Sequence, residues 1–459
     1  MAESIPDSSA APIYYPRPES AEQPVRWSLA LRIAFRFCFC YFLPFGVAGL
    51  FLFADFLEIM KHGTFLNTAR FDPWHAALPW ICAHIFRVQR KLSILPESDK
   101  LSGYLQHLFE LMLALAATVV WSVLDRKRSH YRRLYAGFAL FLRFSLAIVL
   151  FSYGFDKVFP LQFHALTPSR ISQPVGNLDM FNMLWIFMAS SKPYTIFSGV
   201  MEVLAGLLLL TPRLEMLGAL FALPVLTNVF LLNMDYGVPV KIVSSHLLLV
   251  ALFLAAPALP RIVRLLVLRQ AVPPIVPPQL SSRRSVDRAV RAGVAILGVI
   301  LAAISCNAAH SSYARRLAAA AEAQKSPLVG MWIVDTFSAP STGSQSLFTA
   351  KLQKEYRVGP GTDHWLVLGV ESPKRMAIEL RDGEQDGVDL ALDSRTGIAL
   401  VSDSDDPDWK AKLTFQTSGN GLLTVEGTVN GIPISSTWHR KDLSGFRLVQ
   451  DKFRWIQPG

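Results

Sequence analysis

Seven stretches of the chain carry apolar residues almost without interruption: 29–53, 104–124, 134–155, 193–210, 214–232, 241–259 and 289–308. About 20 such residues make a helix long enough to cross the hydrocarbon of a bilayer, so the pattern predicts seven spans. The second is the least uniform, because Glu110 falls inside it. "TPRLE", between the fourth and fifth, leaves room only for a tight turn between antiparallel helices. From about Pro327 the period changes to alternation, in "MWIVDTF", "HWLVLGV", "MAIELRD", "VDLALD", "AKLTFQ", "LLTVEGTV" and "IPISSTWHR", with turn signals at "DSRTG", "SGNG" and the Asn-Gly of "TVNGIPI". About eight short antiparallel strands fit a barrel or sandwich. "ARRLAAAAEAQK" (314–325) reads as a helical tether. The expected fold is a mainly α polytopic membrane bundle followed by a C-terminal antiparallel β-barrel.

Composition agrees. The 459 residues are 51% hydrophobic and 17% charged, and the net charge is +10. Residues 1–325 carry +13 and residues 326–459 carry −3. The basic excess sits in loops beside apolar runs, notably "DRKRSHYRR" (125–133) and the Pro-rich loop holding Arg261, Arg264, Arg269, Arg283, Arg284 and Arg288. Such loops are expected on the cytoplasmic side. The N-terminus is then cytoplasmic and the strand-rich part periplasmic, in a bacterial inner membrane. No aromatic-interleaved basic stripe points to nucleic acid. The loop 54–103 runs against the charge rule with six Lys and Arg, and its "PWHAALPWICAHIFRVQRK" reads as an interfacial helix. The domains are a polar tail (1–28), an N-terminal membrane region of two spans (29–133), a four-helix unit (134–260), a basic loop (261–288), a seventh span (289–308), the tether (309–325) and the β domain (326–459). The first apolar run is expected to be a retained anchor, since no small-residue cleavage site follows it.

Within the four-helix unit, "LRFSLAIVLFSYGFDKVFPLQF", "FSGVMEVLAGLLLLTPRLEMLGAL" and "NVFLLNMDYGVPVKIVSSHLLL" place an Arg in the first helix and Gly-x-x-Lys at its end. A Glu flanked by glycines follows in the second helix. This order resembles the DoxX-like family of small four-helix membrane proteins, over less than a third of the chain. The resemblance implies a membrane subunit of a quinone-linked redox system, with a quinone as cofactor and a periplasmic or membrane redox partner. The β domain opens on Gly330-Met331-Trp332 and resembles a lipocalin-type barrel, in which Arg454 would cover Trp332. That likeness implies an apolar ligand, and with it a second reading, a non-enzymatic lipid-handling or scaffolding protein.

Ionisable groups inside spans cost roughly 2.5–3.5 kcal/mol each on insertion scales, so each needs a partner or a purpose. Arg143 and Glu202 both lie roughly 13 Å into their helices, from opposite sides, which predicts an Arg143–Glu202 ion pair. Such a pair either locks two helices or forms a site for a proton or a quinone headgroup. Ser198, Gly199, Ala205 and Gly206 share the Glu202 face and invite a close helix neighbour. Asn228 joins the intramembrane set. A second group, Asp156, Lys157, Asp235 and Lys241, is expected at the outer surface, where lysines more often anchor than bind. His246 suits proton exchange, although a bond to a neighbouring helix would explain it equally. Cys38 and Cys40 form a lone C-x-C, while Cys82 and Cys306 fall on one side and suggest a disulfide. No metal signature, nucleotide loop or nucleophile elbow stands out.

Overall fold

The structure, a computed structural model, describes residues 26–62, 73–88, 99–273, 278–340, 347–349, 365, 367–379, 385–393, 396–418 and 421–450. Its helices are α1 (Leu29–His62), α2 (Pro73–His84), α3 (Leu101–Leu124), α4 (Arg132–Val158), α5 (Pro168–Ser172), α6 (Met180–Ser190), α7 (Lys192–Leu210), α8 (Glu215–Asp235), α9 (Lys241–Ala255), α10 (Leu259–Ile262) and α11 (Arg284–Ala323). Six of them are long and apolar enough to cross a membrane. A seventh span arises if α9 and the segment Leu259–Val267, bent by 61°, count as one. Pro257 and Pro260 sit at this bend, where each removes a backbone donor. The loop 54–103, expected to hold an interfacial helix, contains the helix α2. The seventh span and the tether are one continuous helix, α11, with no break at 308.

α4 is the axis of the bundle, packed by α7, α1, α11 and α9. Its contact with α7 is set by glycines. A Cβ on Gly199 would lie 2.5 Å from the Gly154 carbonyl oxygen, and one on Gly206 would lie 2.6 Å from the Phe151 ring. Small residues therefore bring the two backbones together, as in membrane helix pairs. Outward faces are apolar: Leu108, Met112, Leu115 and Val119 on α3 and Ile296 and Ile300 on α11 are exposed.

The C-terminal strands are β1 (Gly330–Ser338), β2 (Val367–Ser372), β3 (Arg375–Glu379), β4 (Gln385–Asp393), β5 (Ile398–Ser402), β6 (Lys410–Ser418), β7 (Leu422–Val429) and β8 (Ile432–Lys441). Each pairs with the next, and β8 closes on β1. The β7–β8 turn has Asn430 at φ 48° and Gly431 at φ 80°, the two positive angles a tight hairpin needs. The strand β5, "IALVS", was not singled out by alternation. An eight-stranded barrel is just wide enough for side chains to fill, and the core here is filled: Trp332, Trp365, Trp409, Trp438, Leu368 and Met376 are buried together. Gly330 has φ 149°, and a Cβ there would lie 3.2 Å from Arg440 Nε. The Trp332 indole donates to the Leu328 carbonyl at 2.8 Å, and Arg440 donates to Val329. Arg454, expected over Trp332, lies outside the described residues.

The barrel meets the bundle through α5. Ser169 Oγ donates to Glu371 (2.7 Å), Ser172 Oγ to Glu379 (2.6 Å), and Gln385 Nε2 to both Glu379 and the Ser169 carbonyl (2.6 and 2.7 Å).

Candidate functional site

Among the described residues, three of the polar groupings between the apolar helices take up the charged and histidine side chains expected from sequence, and none is the expected Arg143–Glu202 pair. Glu202 instead receives Lys157 Nζ on both carboxylate oxygens at 2.8 Å, with both side chains buried. Arg143 meets Glu215, which also holds Arg291 at 3.2 Å, and Arg291 reaches Asp287 at 3.0 Å. The register explains the correction. Gly199 abuts Gly154 and Lys157, and Gly206 abuts Ala147 and Phe151, so Glu202 stands level with the C-terminal end of α4. Arg143 lies about 21 Å down the same helix at 1.5 Å per residue. Taking the first apolar residue of each span as the membrane boundary put both charges at one depth. The glycine contacts, not the apolar boundary, set the register.

Asp156 and Lys157, expected at the outer surface, belong to this buried grouping. Asp156 Oδ1 is buried and has no hydrogen-bond partner among the described residues. Lys157 is an ion-pair partner with its stem and ammonium inside the bundle, not a surface anchor. Asn228 is exposed, because the buried face of α8 runs through Gly218, Ala219, Ala222, Leu226 and Asn233. Five residues separate Asn228 from Asn233, which turns it about 140° away at 100° per residue.

The stretch from Asp235 to His246 does not form one pocket. Asp235 is exposed at the end of α8. Lys241 joins Asp99, which also accepts the backbone N–H groups of Lys241 and Ile242 at 2.8 and 3.0 Å. Asp99 thus caps α9 from a distant part of the chain, satisfying two of the orphan donors at a helix start. His246 faces the other way, into the third grouping.

That grouping joins α1, α3 and α9. His246 Nδ1 lies 2.7 Å from the Ile242 carbonyl, and Nε2 lies 2.8 Å from the Tyr41 hydroxyl. A carbonyl only accepts, so Nδ1 carries the proton, and in the neutral ring Nε2 accepts from Tyr41. The Phe45 ring stacks on the imidazole at 5.0 Å, and the His107 ring lies 4.7 Å away. His107 Nδ1 is 2.8 Å from Glu110 Oε2, and Gln106 donates to the other Glu110 oxygen at 3.0 Å. Two imidazoles, a phenol and a carboxylate thus lie side by side as a string, with a hydrogen bond at Tyr41–His246, a ring contact at His246–His107 and an ion-pair distance at His107–Glu110, where His107 Nδ1 makes no well-aligned hydrogen bond. His246 is buried within it, while Tyr41 is half-buried. The other end is partly open, with the side chains of His107 and Glu110 23% and 16% accessible.

Of this string only His246 was singled out from sequence. Glu110 was noted as an irregularity in a span, and His107 three residues before it on the same helical face was the available signal. Tyr41 carried none. A cavity of about 20 Å³ lies nearby, lined by Phe45, Gly46, Ser145 and Leu247 among others, with Ser145 donating to the Gly46 carbonyl. It has room for about one water, not for a quinone ring.

Cys82 and Cys306 are both free. The expected disulfide is not formed, since α2 packs on α3 while α11 packs on α4 and α1. Among the described residues no group of His, Cys, Asp and Glu is placed to hold a metal ion.

No family model and no solved structure matches the chain. Over 119 residues, 26% of this chain and 73% of the other, it is 37% identical to the uncharacterized protein YwoB of Bacillus subtilis (strain 168). A likeness of that extent shows kinship, and the chain belongs to the family of that protein.

Proposed function

We propose that the protein is the membrane component of a quinone-linked redox system, with the Tyr41–His246–His107–Glu110 string as its proton-exchanging element. The observation that carries this reading is the string itself, whose groups contact one another from three helices and whose His107–Glu110 end is partly accessible from outside the bundle. Reducing a quinone by two electrons takes up two protons. His107 and Glu110 would deliver them to a headgroup arriving from the bilayer and be reprotonated by water at the same accessible end, with His246 and Tyr41 beside them setting how readily His107 gives up its proton. The cavity beside the string is water-sized, so a headgroup would meet the string at its accessible His107–Glu110 edge. The electrons come from a separate redox partner. The DoxX-like order of Arg143, Lys157 and Glu202 supports the same class of protein, while those three residues hold helices together. The packed barrel interior disfavours a ligand cup, so the β domain is assigned to partner contact on the periplasmic side.

The test is binding of a short-chain ubiquinone to the detergent-purified full chain, followed by quenching of tryptophan fluorescence. Saturable binding that His107→Phe and His246→Phe weaken, with Tyr41→Phe altering only its pH dependence, supports the reading. Equal quenching in all variants, each still monodisperse and thermally intact, defeats it.

A further inference from the structure

Away from the histidine string, α1 and α11 run in the same direction and meet near their C-terminal ends, where Arg315 contacts Met60. They leave an open groove of about 680 Å³. We propose that this groove seats one phosphate-bearing lipid from the leaflet on the barrel's side. The argument begins with α11. Its contribution to the groove includes Ile300, Ile304, Asn307, Ser311 and Arg315, a continuous stripe at steps of three and four residues along one helical face. Along that stripe polarity rises in a fixed order. Two branched alkyl side chains come first, then an amide and a hydroxyl, and finally a guanidinium. An acyl chain, a glycerol ester and a phosphate present the complementary order.

The dimensions agree. Ile300 to Arg315 spans about 22 Å at 1.5 Å per residue. Half of a bilayer, headgroups included, is about 20–22 Å. The depth agrees as well, because the two helices reach it independently. Arg315 donates to the carbonyl of Met60, so the end of α1 and this turn of α11 are level, and both lie where the apolar runs give way to polar sequence. That bond stations the guanidinium across the mouth of the groove. Arginine has five N–H donors in a fork that suits phosphate oxygens, and Lys61, exposed beside it, adds a second cation. Among the described residues, no carboxylate lines the groove. Two cations above an apolar floor select a phosphate-bearing lipid over an uncharged one. This inference is independent of the quinone reading, since it uses none of the residues of the histidine string.

The experiment is native mass spectrometry of the detergent-purified full chain titrated with phosphatidylglycerol or with diacylglycerol of the same acyl chains. One phosphatidylglycerol retained through detergent exchange, and no diacylglycerol, is the expected result. Lys61→Gln, which leaves the Arg315–Met60 contact in place, should weaken retention several-fold, and Lys61→Gln with Arg315→Gln by about tenfold or more. Ile304→Trp fills the floor at a position whose side chain faces outward, and it should abolish retention while elution volume and melting temperature stay as in wild type. Equal retention of the two lipids, or retention indifferent to the two cations in variants that remain folded, overturns the proposal.

Discussion

The bundle and the barrel are built on opposite plans. In the barrel the largest apolar side chains point inward, and Trp365, Trp409 and Trp438 are almost wholly buried. In the bundle many large apolar side chains face outward, while an ion pair, a four-membered charge network and a histidine string lie within. Water around the barrel makes apolar burial the driving force. Lipid around the bundle removes that force, because a leucine gains nothing by leaving the acyl chains for another helix. What remains is close packing, which glycines such as Gly154 and Gly199 permit, and polar contact, which lipid cannot supply. The two solvents therefore predict different sensitivities for the two regions.

Trp438→Ala in the barrel and Lys157→Met in the bundle should show the largest effects, each on the order of 3–5 kcal/mol, from a cavity in the first case and an uncompensated buried carboxylate in the second. Their rescue separates them. Adding Glu202→Leu to Lys157→Met removes the stranded charge and should recover most of the loss, since apolar replacement of a whole buried pair is often neutral. No second apolar truncation should rescue Trp438→Ala, whose indole also donates to Ser436 at 2.6 Å. Thermal unfolding in detergent of the full chain, with proteolytic protection of the barrel followed separately, measures both. Failure of the double variant to recover would show that Glu202 is held for something other than helix packing.

The same difference decides what was legible in the sequence. Periodicity reports which solvent a segment meets, so the helices and most strands could be read from it: α4 as 132–158 against an expected 134–155, and β8 over "IPISSTWHR". The small-residue face of α7 was legible for the same reason. The partners of the buried charges were not. Arg143 belongs with Glu215 and Lys157 with Glu202 because Gly154 and Gly199 fix how far α7 slides along α4, a translation that no hydropathy profile encodes. Asp99 was invisible as the cap of α9 because 142 residues separate it from Lys241. β5 escaped notice because its outward-facing Leu400 is apolar, so "IALVS" shows no apolar–polar alternation.

Where the two regions meet, neither plan applies, and here a pH dependence is expected. Glu379 is 7% exposed at the α5–barrel contact, and burial pushes its carboxyl above the usual carboxylate range, partly offset by the hydrogen bonds from Ser172 and Gln385. A carboxyl raised in the folded state binds its proton more tightly there than when unfolded. Its contribution is therefore fully present near and below its ordinary value of 4.5 and is lost as pH rises through the raised value. Nearby His164 acts in the opposite sense. Burial and the adjacent Arg316 and Arg170 push its imidazole below 6.5, so acidification through that range costs stability. Glu371, which accepts from Ser169, lies at the same contact. Because these groups oppose one another, the informative quantity is the difference between wild type and Glu379→Gln, an amide that still accepts from Ser172 and Gln385 but does not titrate. Hydrogen exchange across 168–172 at about pH 5 and about pH 8, corrected for intrinsic rates, should show greater acid protection in wild type than in the variant. Identical pH profiles would mean that the clasp is held by Ser169 and Glu371 and that Glu379 only fills space beside it.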